Sequence, residues 1–417
     1  MKRTVALLMG ILLLFTACAP KAVPADGAPA SVVTQSTAAP ETTEAPETTE
    51  APQPVVRHLA VAGDIMSHIP QVNDAYVAET DSYDYNHMFT DAAPLLSAAD
   101  YAVGNLETVL GGGPTYSGFP NFSSPDALAD AAKNAGFDLL STANNHTKDQ
   151  GMDGVFRTLD VLDIIGLKHV GTYRSQEERD ENSGAVIADL NGITVAFLSY
   201  TYGLNGHVLP DDMKYAVNVF NLDYTTTLKD FDYDLVSADM AAARKLNADL
   251  IAVMIHWGVE YKNSPNAYQK ETARYLMEQG ADIVLGGHPH VLEPYETVTV
   301  TDVNGNEKEG FVVYSLGNFI SNQQDEPATK TTVILDLELT KSPTGETTVT
   351  NVSYTPFYML HRDDLPAGQR RRLVNIHTAM AAYENGEETP VTASLYKRME
   401  TALEHCHTVM GAEGDQY

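Results

Sequence analysis

Cysteine, basic residues and long apolar runs are all scarce in this 417-residue chain. Cysteine occurs only at Cys18 and Cys406, so no disulfide framework holds the fold. Lys and Arg number 26 against 56 Asp and Glu, a formal net charge of −30. That balance argues against nucleic acid as a partner and against a general attraction to anionic membranes. The one basic run, Arg370-Arg371-Arg372, falls in a helical pattern and reads as a solvated face. The N-terminal apolar run, Val5 to Phe15, is too short to span a bilayer, which takes about 20 residues.

What is present at the N-terminus has the order of a secretory signal: Lys2-Arg3, the apolar run, then Phe15-Thr16-Ala17-Cys18. The last four residues resemble a bacterial lipobox. The expectation is cleavage before Cys18, acylation of that residue, and anchorage at the outer face of the cytoplasmic membrane. An ordinary signal peptide with a coincidental cysteine is the alternative. With Cys18 lipidated, Cys406 has no partner. Residues 19–56, rich in Ala, Pro, Thr and Glu with the near-repeat APETTEAPETTEAPQP, have no apolar periodicity and read as a disordered tether.

Beyond the tether, short apolar runs alternate with amphipathic stretches, the pattern of βα units. Strands are expected at His58–Ala62, Tyr101–Val103, Asp138–Thr142, Leu250–Ile255 and Ile283–Leu285, with a hairpin turned at Asn191-Gly192. Helices are expected at Asp126–Ala135, Asp153–Ile165, Leu235–Leu246 and Ala267–Gln279. Residues 57–322 would form the main domain. In 323–417, strands at Thr331–Leu339 and Thr347–Tyr354 and helices at Pro366–Glu384 and Val391–His407 would form a small α+β appendage packed on it.

The polar residues that interrupt these patterns sit where strands end. Asp64, Ser67 and His68 follow the first strand, Asn105 and Glu107 the second, and Asn144-Asn145-His146 the third. His256-Trp257 closes a fourth, and His288-Pro289-His290 a fifth, in a segment that the proline should keep stiff and extended. Loops at that edge of an open α/β sheet converge on one crevice. Imidazole with carboxylate there suits Mn²⁺, Zn²⁺ or Fe²⁺ rather than Mg²⁺ or Ca²⁺. Singly, each signal has a plain reading: His256 as a structural histidine, Asn144-Asn145-His146 as a turn.

The ordered motifs GDIMSH, GNLET, STANNHTKDQGMDG, VMIHWGVEY, GADIVLGGHPHV and YSLGNF resemble the CapA/PgsA capsule-synthesis family, over about His58 to Asn322. That family is similar to the calcineurin-like metallophosphoesterases. The resemblance implies a four-layer αββα sandwich with one or two divalent ions. It implies metal ligands at Asp64, Asn145, His256, His288 and His290, and His146 as the group that protonates a leaving oxygen. Two positions depart from the phosphoesterase pattern. His68 lies four residues after Asp64 rather than two. Asn105 and Glu107 stand where a bridging aspartate is usual, so either Glu107 reaches in or the second ion is poorly held.

The resemblance further implies work on poly-γ-glutamate or another cell-envelope substrate. The reaction is expected to be hydrolysis of a phosphoester or a γ-glutamyl bond. The alternative is a non-catalytic metal-binding scaffold within a membrane synthase. Trp257 and Tyr261 would either wall a substrate pocket or pack. Glu260 is a proton carrier or a solvated loop acid. Ser315 and Asn318 line the site or make a turn.

Overall fold

In strand β1 (Val55–Ile65) alternate side chains face opposite ways: Leu59 and Val61 to one side, Ala60 and Ala62 to the other. All four are buried, so this strand must be covered on both faces. The structure is a computed structural model describing residues 53–324 and 327–416. The signal segment, Cys18 and the tether up to residue 52 lie outside the described residues.

After β1 come a small hairpin, β2 (Tyr76–Val77) and β3 (Ser82–Tyr83), then β4 (Tyr101–Leu106), β5 (Leu139–Ser141) and β6 (Lys168–Val170). The next six strands are β7 (Val186–Asp189), β8 (Thr194–Thr201), β9 (Leu250–His256), β10 (Ile283–Gly287), β11 (Leu292–Thr301) and β12 (Glu307–Leu316). The last four are β13 (Asn318–Ile320), β14 (Thr331–Lys341), β15 (Thr347–His361) and β16 (Arg371–Asn375). One sheet has the order β16-β15-β14-β1-β4-β5-β6, with β13 also pairing β1; the other runs β11-β12-β10-β9-β8-β7. β1, β4, β5 and β6 are mutually parallel, as are β8, β9, β10 and β12.

Between the sheets lies one apolar cluster, with Leu59, Val61 and Val103 from the first and Phe197, Met254 and Val313 from the second. The outer face of the first sheet packs on the helices Ala127–Ala135 and Gly151–Ile165. That of the second packs on Tyr233–Ala243 and Ala267–Glu278. The result is the expected four-layer αββα sandwich. Each large apolar side chain fully buried in it contributes roughly 1.5–3 kcal/mol, and no cross-link is needed. Cys406 is free and buried in the inter-sheet cluster.

The hairpin is turned at Asn191-Gly192, both with positive φ (52° and 110°), as a two-residue turn between twisted strands requires. The segment after Asn322 supplies β14, antiparallel to β1 from Val55↔Lys341 to Val61↔Leu335, so its strands continue the first sheet. Val55 and Val56, expected in the tether, already belong to that ladder. The helix expected over Pro366–Glu384 forms only at Ile376–Glu384. Arg371 and Arg372 lie instead in β16, where Arg371 is buried and bonds Asn322 and Asp363, and Arg372 bonds Asp91. Sheet pairing and distant acids override the local helical pattern, and this is not a solvated helix face.

Candidate metal centre

Parallel pairing brings the strand ends together. Asp64, in β1, stands in register with Asn105 of β4 and Asn318 of β13. His256 ends β9 in register with Gly287 of β10 and Thr201 of β8. Two glycines allow the approach. A Cβ on Gly63 would stand 2.0 Å from the Gly317 carbonyl oxygen, and one on Gly287 would stand 2.7 Å from Asp64 Oδ1. His288 and His290 have left-handed backbone (φ 96° and 60°), so the His-Pro-His segment is not extended as expected. The sharp turn, with the His288 amide donating to Asp64 Oδ2 at 3.1 Å, puts both imidazoles in the crevice.

Asp64, Glu107, Asn145, His146, His256, His288 and His290 are all buried there. Two fully buried donor groups form: Glu107, His256 and His288, and Asp64, Glu107 and His290, each with ligand atoms within 4.8 Å of one another. Glu107 belongs to both, so it is the residue that reaches in. Asn105 does another job. Its amide donates to Asp64 Oδ1 at 2.8 Å and lies 3.3 Å from His256 Nδ1, while its oxygen accepts from Asn144. Asn145 Oδ1 lies 2.8 Å from His256 Nε2. Asn318 Oδ1 accepts from His290 Nδ1 at 3.0 Å, which leaves Nε2, 3.9 Å from Glu107, as the free ring nitrogen.

The donor set fits a divalent transition metal. Both oxygens of Glu107, and Nδ1 of His288, are buried without a geometrically sound hydrogen bond, although His256 Nε2 stands 3.3 Å from Glu107 Oε1. Orphaned buried acceptors are rare and call for an explanation such as an ion. Burial, then the charge of Glu107, pushes the Asp64 carboxyl up to about 7, and burial pushes Glu107 up to about 8. Burial lowers His256 to about 4, His290 to about 3, and His288 well below the usual imidazole value. A bound cation inverts the carboxylate shifts and uses the neutral imidazoles as they stand.

His146 sits beside this cluster rather than in either donor group. Its Nδ1 lies 2.7 Å from Asp149 Oδ2, and the Phe122 ring meets it edge-on at 4.7 Å. Burial alone would lower its pKa, but the bond to Asp149 and the charge of Glu107 outweigh that and raise it.

Among the remaining candidates, His68 caps the helix Ile69–Ala75, accepts from the Asn322 amide, and joins no donor group. Ser67 bonds Tyr85. Trp257 is fully buried, donates to the Tyr314 carbonyl and stacks on Tyr314 in the outer core, so it packs. Tyr261 lies 6.1 Å from the His290 ring. Glu260 is exposed yet has its carboxylate within 4.8 Å of ring nitrogens of His288 and His290, at the rim. Ser315 bonds the Val291 carbonyl and makes a turn. Sequence reasoning missed Asp149, three residues after His146, and Tyr202 and Asn205, beyond the end of β8. Tyr202 lies 4.6 Å from the His288 ring, and Asn205 bonds Asn145. The polar TYGLN run after that strand was the available signal.

The fold and site define an α/β sandwich with a buried carboxylate–imidazole cluster at its strand ends. The family described as bacterial capsule synthesis protein PGA_cap matches residues 58–323, and the chain belongs to it. Among relatives, it is 30% identical to capsule biosynthesis protein CapA of Bacillus anthracis over 275 residues, 64% of this chain and 60% of that one. It is 29% identical to PGA biosynthesis protein CapA of Bacillus subtilis (strain 168), over 70% of each. The chain thus spans 60% of the length of the first of these relatives. A solved calcineurin-like phosphoesterase, YfkN of Bacillus subtilis, aligns at 14% identity and TM-score 0.37 over 84% of this chain and 99% of that one. So distant a likeness assigns no reaction.

Proposed function

We propose that the chain binds two divalent transition-metal ions and hydrolyses a phosphoester or γ-glutamyl bond during formation of a capsule polymer, tethered through Cys18 at the outer face of the cell membrane. The observation that carries this reading is Glu107, with both carboxylate oxygens buried, orphaned and shared by two donor groups. Asp64, Glu107 and His290 would hold one ion, and Glu107, His256 and His288 the other, with Asn145 Oδ1 at hand. When bound, such ions polarise a phosphoryl or carbonyl oxygen and make water a better nucleophile near neutral pH.

The remaining work falls to His146. Asp149 accepts from Nδ1, so Nε2 is the atom that delivers a proton, and the raised pKa keeps that proton available. Phe122, edge-on to the ring, helps to fix it. The test is His146→Gln, with metal content, turnover of phosphodiester and γ-glutamyl substrates, and polymer in cells all measured. General acid catalysis contributes a factor of about 10²–10⁴, so the variant should lose that much turnover with its metal intact. Normal polymer from the variant, with no hydrolysis by the unmodified protein under any metal, would make the protein a scaffold instead.

A further inference from the structure

The two buried donor groups leave one neighbouring acid out. Glu260 is exposed, yet its carboxylate forms a third group with ring nitrogens of His288 and His290, the ligand atoms again within 4.8 Å of one another. Among the described residues the Glu260 side chain makes no hydrogen bond or ion pair, so its oxygens are free to move inward. A buried atom answers it from the other side. Nδ1 of His288, which belongs to this outer group and to an inner one, has no hydrogen-bond partner.

The loop that carries Glu260 is tied to the loop that carries the histidines. The Trp257 amide donates to the Gly287 carbonyl at 3.1 Å and the Tyr261 amide to the Pro289 carbonyl at 2.8 Å. The Asn263 side chain donates to the Leu292 carbonyl at 3.2 Å. Between these ties the backbone turns sharply, with Gly258 and Tyr261 at φ 90° and 63°. A bulky residue rarely adopts the left-handed region, and here the flanking bonds hold Tyr261 in it. The turn leaves Glu260 at the mouth of the crevice, where its charge reaches the buried groups: burial is the main cause that raises Glu107, and Glu260 adds to it.

Charge gives that position a use. Two divalent ions would bring four positive charges, of which Asp64 and Glu107 return two, since the imidazoles stay neutral. Uncompensated charge in a buried crevice is costly, and a third carboxylate within reach lowers the cost. We propose that Glu260 is an exchangeable metal ligand, closing the outer position beside His288 and His290 until an anionic oxygen of the substrate displaces it. This rests on the two-ion reading above and adds to it the group that an incoming anion must replace. One carboxylate oxygen leaves as the anionic oxygen arrives, and no covalent bond of the chain changes.

The experiment loads the purified full chain with Co²⁺, whose visible absorption reports its coordination, and then titrates in inorganic phosphate. Glu260→Gln, a change at an exposed position, should alter the spectrum and weaken metal binding by about tenfold or more. It should also tighten phosphate binding by about tenfold, because no resident carboxylate competes for the position. Glu260→Asp keeps the charge but shortens the arm, so it should behave as Glu260→Gln does. If it matches the unmodified chain instead, the charge acts at a distance and the ligand role is wrong. An unchanged spectrum in Glu260→Gln, or phosphate bound no more tightly than by the unmodified chain, would overturn the proposal as well. Turnover enters none of these readouts, so a protein without hydrolase activity leaves the proposal standing, whereas an unmodified chain that binds no metal overturns both.

Discussion

Glu107 is a fully buried carboxyl whose pKa burial pushes up to about 8. A buried carboxylate without a good hydrogen bond to either oxygen is destabilising unless it stays protonated or meets a cation. This has a measurable consequence for chelated protein. Asp64 and Glu107 ionise at 3.8 and 4.5 when unperturbed, but at about 7 and about 8 in the fold. Between about pH 7.5 and 8.5 the unfolded chain has released these protons and the folded chain still holds part of them, chiefly on Glu107, so stability falls as pH rises. His256, His288 and His290, all lowered by burial, are neutral in the fold, and about one pH unit above the ordinary imidazole value of 6.5 they are nearly neutral when unfolded too, so they contribute little in this window. His146 is held above its usual value and acts in the same direction as the carboxyls. The slope approaches about 1.4 kcal/mol per pH unit for each group still protonated. Thermal melts in chelator should show it, and saturating Mn²⁺ should remove it. A flat chelated profile over that window would contradict the buried pair.

At the scale of the element, the centre depends on how closely strands approach. Gly63 takes no left-handed backbone; its requirement is space, because a methyl there meets the Gly317 carbonyl oxygen at 2.0 Å. Gly63→Ala should therefore force β1 and β13 apart, cost about 1–3 kcal/mol, and lower metal content through the displaced Asp64. Chemical denaturation and metal analysis check both, and an unchanged midpoint would refute the packing. Elements with strong period were legible in the sequence: β9 and β10 as apolar runs, Gly151–Ile165 and Ala267–Glu278 as amphipathic helices. The strand-end cluster was legible too, since Asp64, Asn145, His256, His288 and His290 interrupt those runs. β16 was not, because its arginines are neutralised by Asp363 and Asp91, the latter nearly three hundred positions away. Nor was the choice between Asn105 and Glu107, which lie two residues apart and are distinguished only by what surrounds each carbonyl or carboxyl group.

For the molecule as a whole, the chain returns to its first strand after building the second sheet. β14 pairs along most of β1 and β13 pairs its end, so residues beyond Asn322 hold in place the strand that carries Asp64. The helix Ala393–Met410 contributes Cys406 and Met410 to the inter-sheet core. Core and candidate metal centre thus share their supports. All of this turns on one property, that Glu107 belongs to two buried donor groups. The direct measurement is metal stoichiometry of the purified full chain, prepared without chelator and supplied with Mn²⁺ or Zn²⁺, beside Glu107→Gln. Two ions per chain are expected in the unmodified protein, and one or none in the variant. No bound metal in the unmodified protein, or two ions retained after Glu107→Gln, would contradict the shared-carboxylate centre.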